Sequence, residues 1–147
     1  MIQAMRPSIS ALKAASTSLS ASASNIANAR NGGRLADAEV TPMTRARQTA
    51  GRQDRVPEDL YRPVRADNVA VAGGGVRAVV REHDPPHVAE HDPGDPKADE
   101  DGLVARPNVD LADEFVRMRQ ARDSYMANLK VVKTTDEMAG YLVDRRE

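Results

Sequence analysis

Residues 108–143 read NVDLADEFVRMRQARDSYMANLKVVKTTDEMAGYLV. Within them Leu111, Phe115, Met118, Tyr125, Leu129 and Val132 recur in alternating steps of four and three, once Arg122 is counted as the polar member of the series. That is the 3.5-residue repeat of a helix that packs along another helix. Gly140 aside, nothing between Asp110 and Val143 breaks a helix. At about 1.5 Å per residue such a run extends roughly 50 Å, and a helix of that length needs a partner of similar length.

The other end of the chain supplies the partner. Ile2, Met5, Ile9, Leu12, Ser16, Leu19, Ala23 and Ile26 follow the same three-four spacing, and Asn31-Gly32-Gly33 predicts a left-handed stop soon after. Pro7 limits how early this helix starts, and Ser8 reads as its N-cap. Alanine and serine dominate from Ala14 to Ala29. Such residues permit close helix approach but bury little area each. The expected fold is therefore mainly α with a small β part, its long N- and C-terminal helices paired as an antiparallel coiled coil, with a β-hairpin and irregular loops between them. Three regions follow: an N-terminal helix over 2–30, an irregular arm and small β-rich middle over 31–107, and a C-terminal helix over 108–143.

Composition restricts what such a chain does. In 147 residues there are one Phe, three Tyr, no Trp and no Cys. A core of ordinary size is hard to assemble from these, and neither disulfides nor thiolate metal sites are available. No apolar run approaches a membrane span. The first ten residues also lack the basic and apolar regions of a secretory signal, so export by a cleaved signal is not expected. Charge is unevenly spread: residues 1–65 carry ten Lys/Arg against five Asp/Glu, whereas residues 66–101 carry three against nine. The basic first half and acidic middle invite complementary contacts between copies or with partners.

Between the helices, residues 34–65 read as an irregular, arginine-rich arm interrupted by Pro42, Pro57 and Pro63. Its arginines are not interleaved with aromatic residues before Tyr61, nor does a basic helix present them on one face, so a nucleic-acid partner is not expected. Val69 and Val71, then Gly73-Gly74-Gly75, then Val76 to Val80 read as a β-hairpin. The glycine spacing matches no phosphate-binding loop. His83, His87 and His91 are four apart, but Pro85, Pro86 and Pro93 forbid the helix that would align them on a metal. The acidic run from Asp92 to Asp101 lacks the ligand order of a calcium loop. No catalytic constellation is present, so neither enzymatic activity nor a cofactor is expected.

Asn25-Ile26-Ala27-Asn28-Ala29, closing a first helix rich in alanine and serine, resembles the N-terminal signature of flagellar rod and hook proteins. The run DPGDPKADEDGLVARPNV over residues 92–109 is similar to the acidic turn and Pro-Asn-Val element of the proximal-rod type, and Tyr125-Met126-Ala127-Asn128 resembles the Tyr-x-Ala-Asn element of its last helix. Leu103, His91 and Arg30-Asn31-Gly32-Gly33 depart from the usual pattern, as in a divergent member. The resemblance implies a structural subunit of the bacterial flagellar basal-body rod. It implies polymerisation through the terminal helices, with other copies and other rod proteins as partners, and delivery by the flagellar export apparatus without signal cleavage.

On that reading Leu12, Leu19 and Ile26 face Leu111, Phe115, Met118, Tyr125, Leu129 and Val132 within one subunit, and left-over apolar edges are buried between subunits. Asn25 and Asn28 share a face and hydrogen-bond to nearby backbone, Asn128 belongs to the matched element, and Arg122 sets register within the stripe. The competing reading is a helical adaptor or regulator associated with flagellar export that uses the same stripes and never polymerises.

Overall fold

The computed structural model describes residues 2–35 and 60–144. The arginine-rich arm expected at 34–65 thus falls, for residues 36–59, outside the described residues. In chain order the elements are α1 (Ile2–Asn28), β1 (Gly33–Arg34), β2 (Val64–Ala70), β3 (Val76–Glu82), β4 (His87–His91), β5 (Leu103–Pro107) and α2 (Leu111–Asp144). The chain divides into two compact units, one of Met1–Ala23, Ala66–Arg81 and Phe115–Glu147, the other of Ser24–Arg65 and Glu82–Glu114.

α1 starts well before the expected N-cap at Ser8 and carries Pro7 inside it. So close to the N-terminus, proline removes one helical hydrogen bond at the point where few have yet formed. The Ser10 hydroxyl then donates to the Pro7 carbonyl at 2.7 Å. Thr17 bonds to the Lys13 carbonyl at 3.0 Å and Ser18 to that of Ala14 at 3.1 Å. Bonded back on their own helix, these hydroxyls can be covered without losing a partner. The expected left-handed stop is corrected: among the described residues positive φ occurs at Gly73, Gly74, Gly75 and Gly102, and neither Gly32 nor Gly33 has it. Two tight backbone bonds end the helix instead, Asn31 N–H to the Asn28 carbonyl and Gly32 N–H to that of Arg30, both at 2.9 Å.

α2 begins where Asp110 caps it. The carboxylate accepts from the Ala112 N–H at 2.8 Å and the Asp113 N–H at 3.2 Å. Asp113 and Glu114 add negative charge to the first turn, which suits the helix dipole.

In the first unit the covered positions are small. Ala14, Ala15, Ala21 and Ser22 on α1 and Ala121 on α2 are buried, whereas Ile9 and Leu19 are exposed. The turn of the two-stranded β2–β3 sheet reaches α1: Ser10 Oγ accepts the Val76 N–H at 3.0 Å. Three consecutive glycines with φ of 91, 92 and 96° form this turn, a backbone open to few other residues. The hairpin is thus present, with strands that start earlier and end later than the valine-rich runs.

The second unit holds a three-stranded sheet in the order β1-β5-β4, both pairings antiparallel. His87 lies opposite Pro107 and His91 opposite Leu103. These strands correct the expectation of irregular loops after the hairpin. Leu60 and Ala105 are the buried centre, with Leu35 packed against them and Val104 and His87 fully covered nearby. Gly32 passes so close to β5 that a Cβ there would sit 2.5 Å from the Ala105 carbonyl oxygen.

Gly32→Ala should therefore cost about 1–3 kcal/mol through forced movement of backbone. Gly94→Ala, where the nearest atom to a Cβ is Asp92 Oδ1 at 3.7 Å, should stay within about 0.5 kcal/mol of the parent. Urea denaturation of the two variants checks this, and equal midpoints would refute the close approach.

Candidate assembly site

One side chain joins three parts of the second unit. Asn25 is 2% exposed near the end of α1. Its Nδ2 donates to the Val64 carbonyl at 2.7 Å and to Glu114 Oε1 at 2.7 Å. Its Oδ1 accepts the Val64 N–H at 3.0 Å and the Tyr61 hydroxyl at 2.8 Å. A carboxamide offers two donor hydrogens and two acceptor lone pairs, and all four are used. Toward Val64 the amide acts as a strand would, satisfying the N–H and C=O of one residue.

The partners are held in turn. Tyr61 OH lies 3.1 Å from Ser24 Oγ, and the Tyr61 carbonyl accepts from His87 Nε2 at 2.9 Å. A carbonyl only accepts, so the proton is on Nε2. Asn108 Nδ2 donates to the Pro85 carbonyl at 3.0 Å, and its N–H donates to that of Pro86 at 2.8 Å. These bonds fasten the loop before β4 to the residues that lead into α2.

The acidic turn is organised by one cation. Arg106 on β5 lies 3.4 Å from Glu90, 3.0 Å from Asp92 and 3.1 Å from Asp95. It also donates to the Arg30 carbonyl at 3.1 Å. Lys97 reaches the Gly32 carbonyl at 2.7 Å. Asp99 Oδ1 accepts from the N–H groups of Asp101 and Leu103 at 3.0 and 2.8 Å. Among the described residues, no three His, Asp or Glu side chains converge as a metal site.

The residues expected at an assembly interface fall into two groups. Asn25 is buried, and Leu12, Ile26, Asn28, Met118, Asn128 and Val132 are half-buried. Leu19, Leu111, Phe115, Arg122, Tyr125 and Leu129 are exposed, Phe115 to 59%. Asn28 and Asn128 donate to carbonyls four residues back, those of Ser24 and Ser124, at 2.9 and 2.8 Å. Within the subunit, then, Phe115 and Leu129 are not covered. Besides the half-buried Arg117, the less exposed positions of α2 are Glu114, Met118, Ala121, Asn128, Val132, Thr135 and Ala139. They keep the three-four rhythm but lie one residue away from Phe115, Arg122 and Leu129. Tyr61, Glu114 and Arg106 were not expected from sequence. The signal available was Asn25, set among alanines and serines, which implies a polar partner wherever that face is covered.

Two long terminal helices flanking small sheets, with large apolar side chains turned outward, suit a subunit whose surface is completed by other proteins. The family described as flagellar basal body rod FlgEFG protein, C-terminal, matches residues 100–145. The chain is 34% identical over 135 residues to the flagellar basal-body rod protein FlgC of Agrobacterium fabrum, covering 92% of this chain and 87% of that one. It is 36% identical over 130 residues to FlgC of Salmonella typhimurium, covering 88% and 85%. A shorter match, 46% identical over 48 residues, joins it to FlgC of Aquifex aeolicus. The class is that of the flagellar axial proteins, structural components of the basal body. Within it the chain belongs to the FlgC family of basal-body rod proteins, as a divergent member, and is a structural rod subunit.

Removing the Asn25 carboxamide leaves both backbone groups of Val64 without their partner. Asn25→Ala should cost at least about 2 kcal/mol, and Tyr61→Phe, which removes one bond to the same oxygen, about 1 kcal/mol. Chemical denaturation followed by circular dichroism measures both. An Asn25 variant no less stable than the Tyr61 variant would show that the amide is not the centre of the network.

Proposed function

We propose that the subunit polymerises through its terminal helices, beside other copies of itself and other rod proteins, into the axial drive shaft. One observation carries the reading: the fully buried positions of α1 and α2 in the first unit are small, and many large apolar side chains of α2 are exposed. Phe115, Val116, Met126, Val131, Met138 and Tyr141 on α2 are between 46% and 76% exposed. Exposed apolar side chains in this number along one helix suit a protein interface.

We infer that α1 and α2 pair as an antiparallel coiled coil across the small seam. Supporting this, Ser8, Ala15, Ser22 and, one turn further, Asn25 fall on one stripe of α1, with the same period as Met118, Ala121, Asn128 and Val132 on α2. Small residues let the axes approach, which leaves the bulky stripes for neighbours. The interface then includes Leu19, Leu111, Phe115, Tyr125 and Leu129, with Arg122 among them. Head-to-tail repetition of such a contact with a non-closing rotation yields a rod. Delivery through the flagellar export apparatus, without a cleaved signal, belongs to the same reading. No described helix is long and apolar enough to cross a membrane. The adaptor reading uses the same apolar stripes and predicts a small complex instead.

Phe115→Ala and Leu129→Ala should each change subunit stability by less than about 1 kcal/mol, well below the 3–5 kcal/mol of a core Phe. Both should abolish the large species seen by sedimentation when the chain is mixed with rod proteins. A stable chain that stays small with every axial partner would favour the adaptor. Near-normal assembly of both variants would refute this interface.

A further inference from the structure

The outer edge of β4 and the carboxylates beside it form a surface whose charge the described residues do not balance. β4 ends the β1-β5-β4 sheet, and among the described residues no strand pairs with its other side. Four of its five residues, Val88 to His91, are exposed, so neither face of the strand is covered beyond His87. An uncovered edge offers unpaired backbone N–H and C=O groups to another segment. The residues around it are strongly acidic: 84–106 hold seven Asp and Glu against Lys97 and Arg106, a net charge of −5. Arg106 serves three of those carboxylates at once, while Glu100 and Asp101 stand exposed.

The complementary charge lies in the same chain. Residues 45–55 carry Arg45, Arg47, Arg52 and Arg55 against Asp54, a net charge of +3. They belong to the 24 residues between Leu35 and Leu60. Both of these end residues sit in one apolar cluster with Ala105. Twelve residues out and twelve back span at most about 40 Å. Residues two apart, as Arg45 and Arg47 are, share a side in any segment that pairs as a strand. The excursion starts from β1, at the edge of the sheet opposite β4. A copy that donates from its β1 edge and receives at its β4 edge makes a heterologous, head-to-tail contact, which suits a helical polymer.

We propose that the outer edge of β4, with the carboxylates around it, receives the arginine-bearing residues 45–55 of a neighbouring copy. The proposal rests on the polymerising reading given above. Backbone pairing along β4 supplies the attachment, and the arginines facing Glu90, Glu100 and Asp101 choose this edge over others. Pro85-Pro86 before the strand and Pro93 after it limit pairing to a few residues.

The absence of cysteine in the chain makes the contact directly testable. Full-length Ala46→Cys and Ala89→Cys chains are mixed, assembled and oxidised. The expected product is a disulfide-linked heterodimer. It should form at least tenfold less when the donor also carries Arg45→Glu and Arg47→Glu, and recover when the acceptor carries Glu100→Arg and Asp101→Arg. Retained helical circular dichroism separates lost docking from lost folding. Assembly without the heterodimer, or a bond formed only within a chain bearing both cysteines, overturns this proposal alone. Failure of every mixture to assemble overturns it together with the polymerising reading.

Discussion

The second unit depends on a single carboxamide meeting a single residue of backbone. Val64 is the first residue of β2, and its N–H and C=O both end on Asn25. Glutamine would place the amide one methylene too far. Aspartate would offer acceptors where two donors are needed, beside the carboxylate of Glu114 and the carbonyl of Val64. The same amide reaches Tyr61, whose carbonyl is held by the buried His87. Among the described residues the apolar centre of this unit is little more than Leu60, Val104 and Ala105. A fully satisfied polar network supplies the positional definition that so few apolar side chains cannot.

In the first unit the apolar residues are distributed in the opposite sense to a self-contained domain. Ala14, Ala15, Ala21 and Ala121 are inside, while Phe115, Met126, Met138 and Tyr141 are outside. An alanine removes far less apolar area from water than a phenylalanine or methionine, and the hydrophobic term scales with that area. A chain folded this way keeps much of its potential stabilisation unspent until another surface covers it. For a rod subunit this is useful. On the proposed assembly, covering these side chains with a neighbour would release free energy that folding of the subunit alone does not.

This division also explains what was legible in the sequence. The existence of α2 is plain, because a three-four rhythm from Leu111 to Val132 within a run that only Gly140 interrupts has few other readings. The face it turns inward is not, because in this helix apolar identity does not mark burial: Phe115 and Leu129 are exposed while Ala121 is buried. In α2 the large side chains at Phe115 and Leu129 belong to one surface and the small ones at Ala121 and Ala139 to another, one residue apart. The hairpin was readable from three glycines, but its outer residues, Val64 to Asn68 and Arg81-Glu82, carry no apolar alternation to extend it. β4 reads His-Val-Ala-Glu-His between prolines, and its pairing with β5 is decided by a sheet that local pattern does not reveal. Nothing periodic connects Asn25 with Tyr61, Val64 and Glu114, which lie 36 to 89 residues away.

The acidic turn shows how one segment can be internally satisfied yet externally charged. Arg106 and Lys97 both point their cations at the close of α1, to the carbonyls of Arg30 and Gly32. Positive charge at a helix C-terminus is favourable, and no left-handed glycine caps this helix. Arg106 then meets Glu90, Asp92 and Asp95, so a single guanidinium answers three carboxylates and a helix end together. Asp99 turns its oxygen to backbone N–H groups of the same turn, which fixes the geometry without cancelling its charge. The cations of the segment are thus committed inward, and the negative charge left over is carried at the surface. A turn built in this way is complete as a structural element, and among the described residues it still presents Glu100 and Asp101 to solvent.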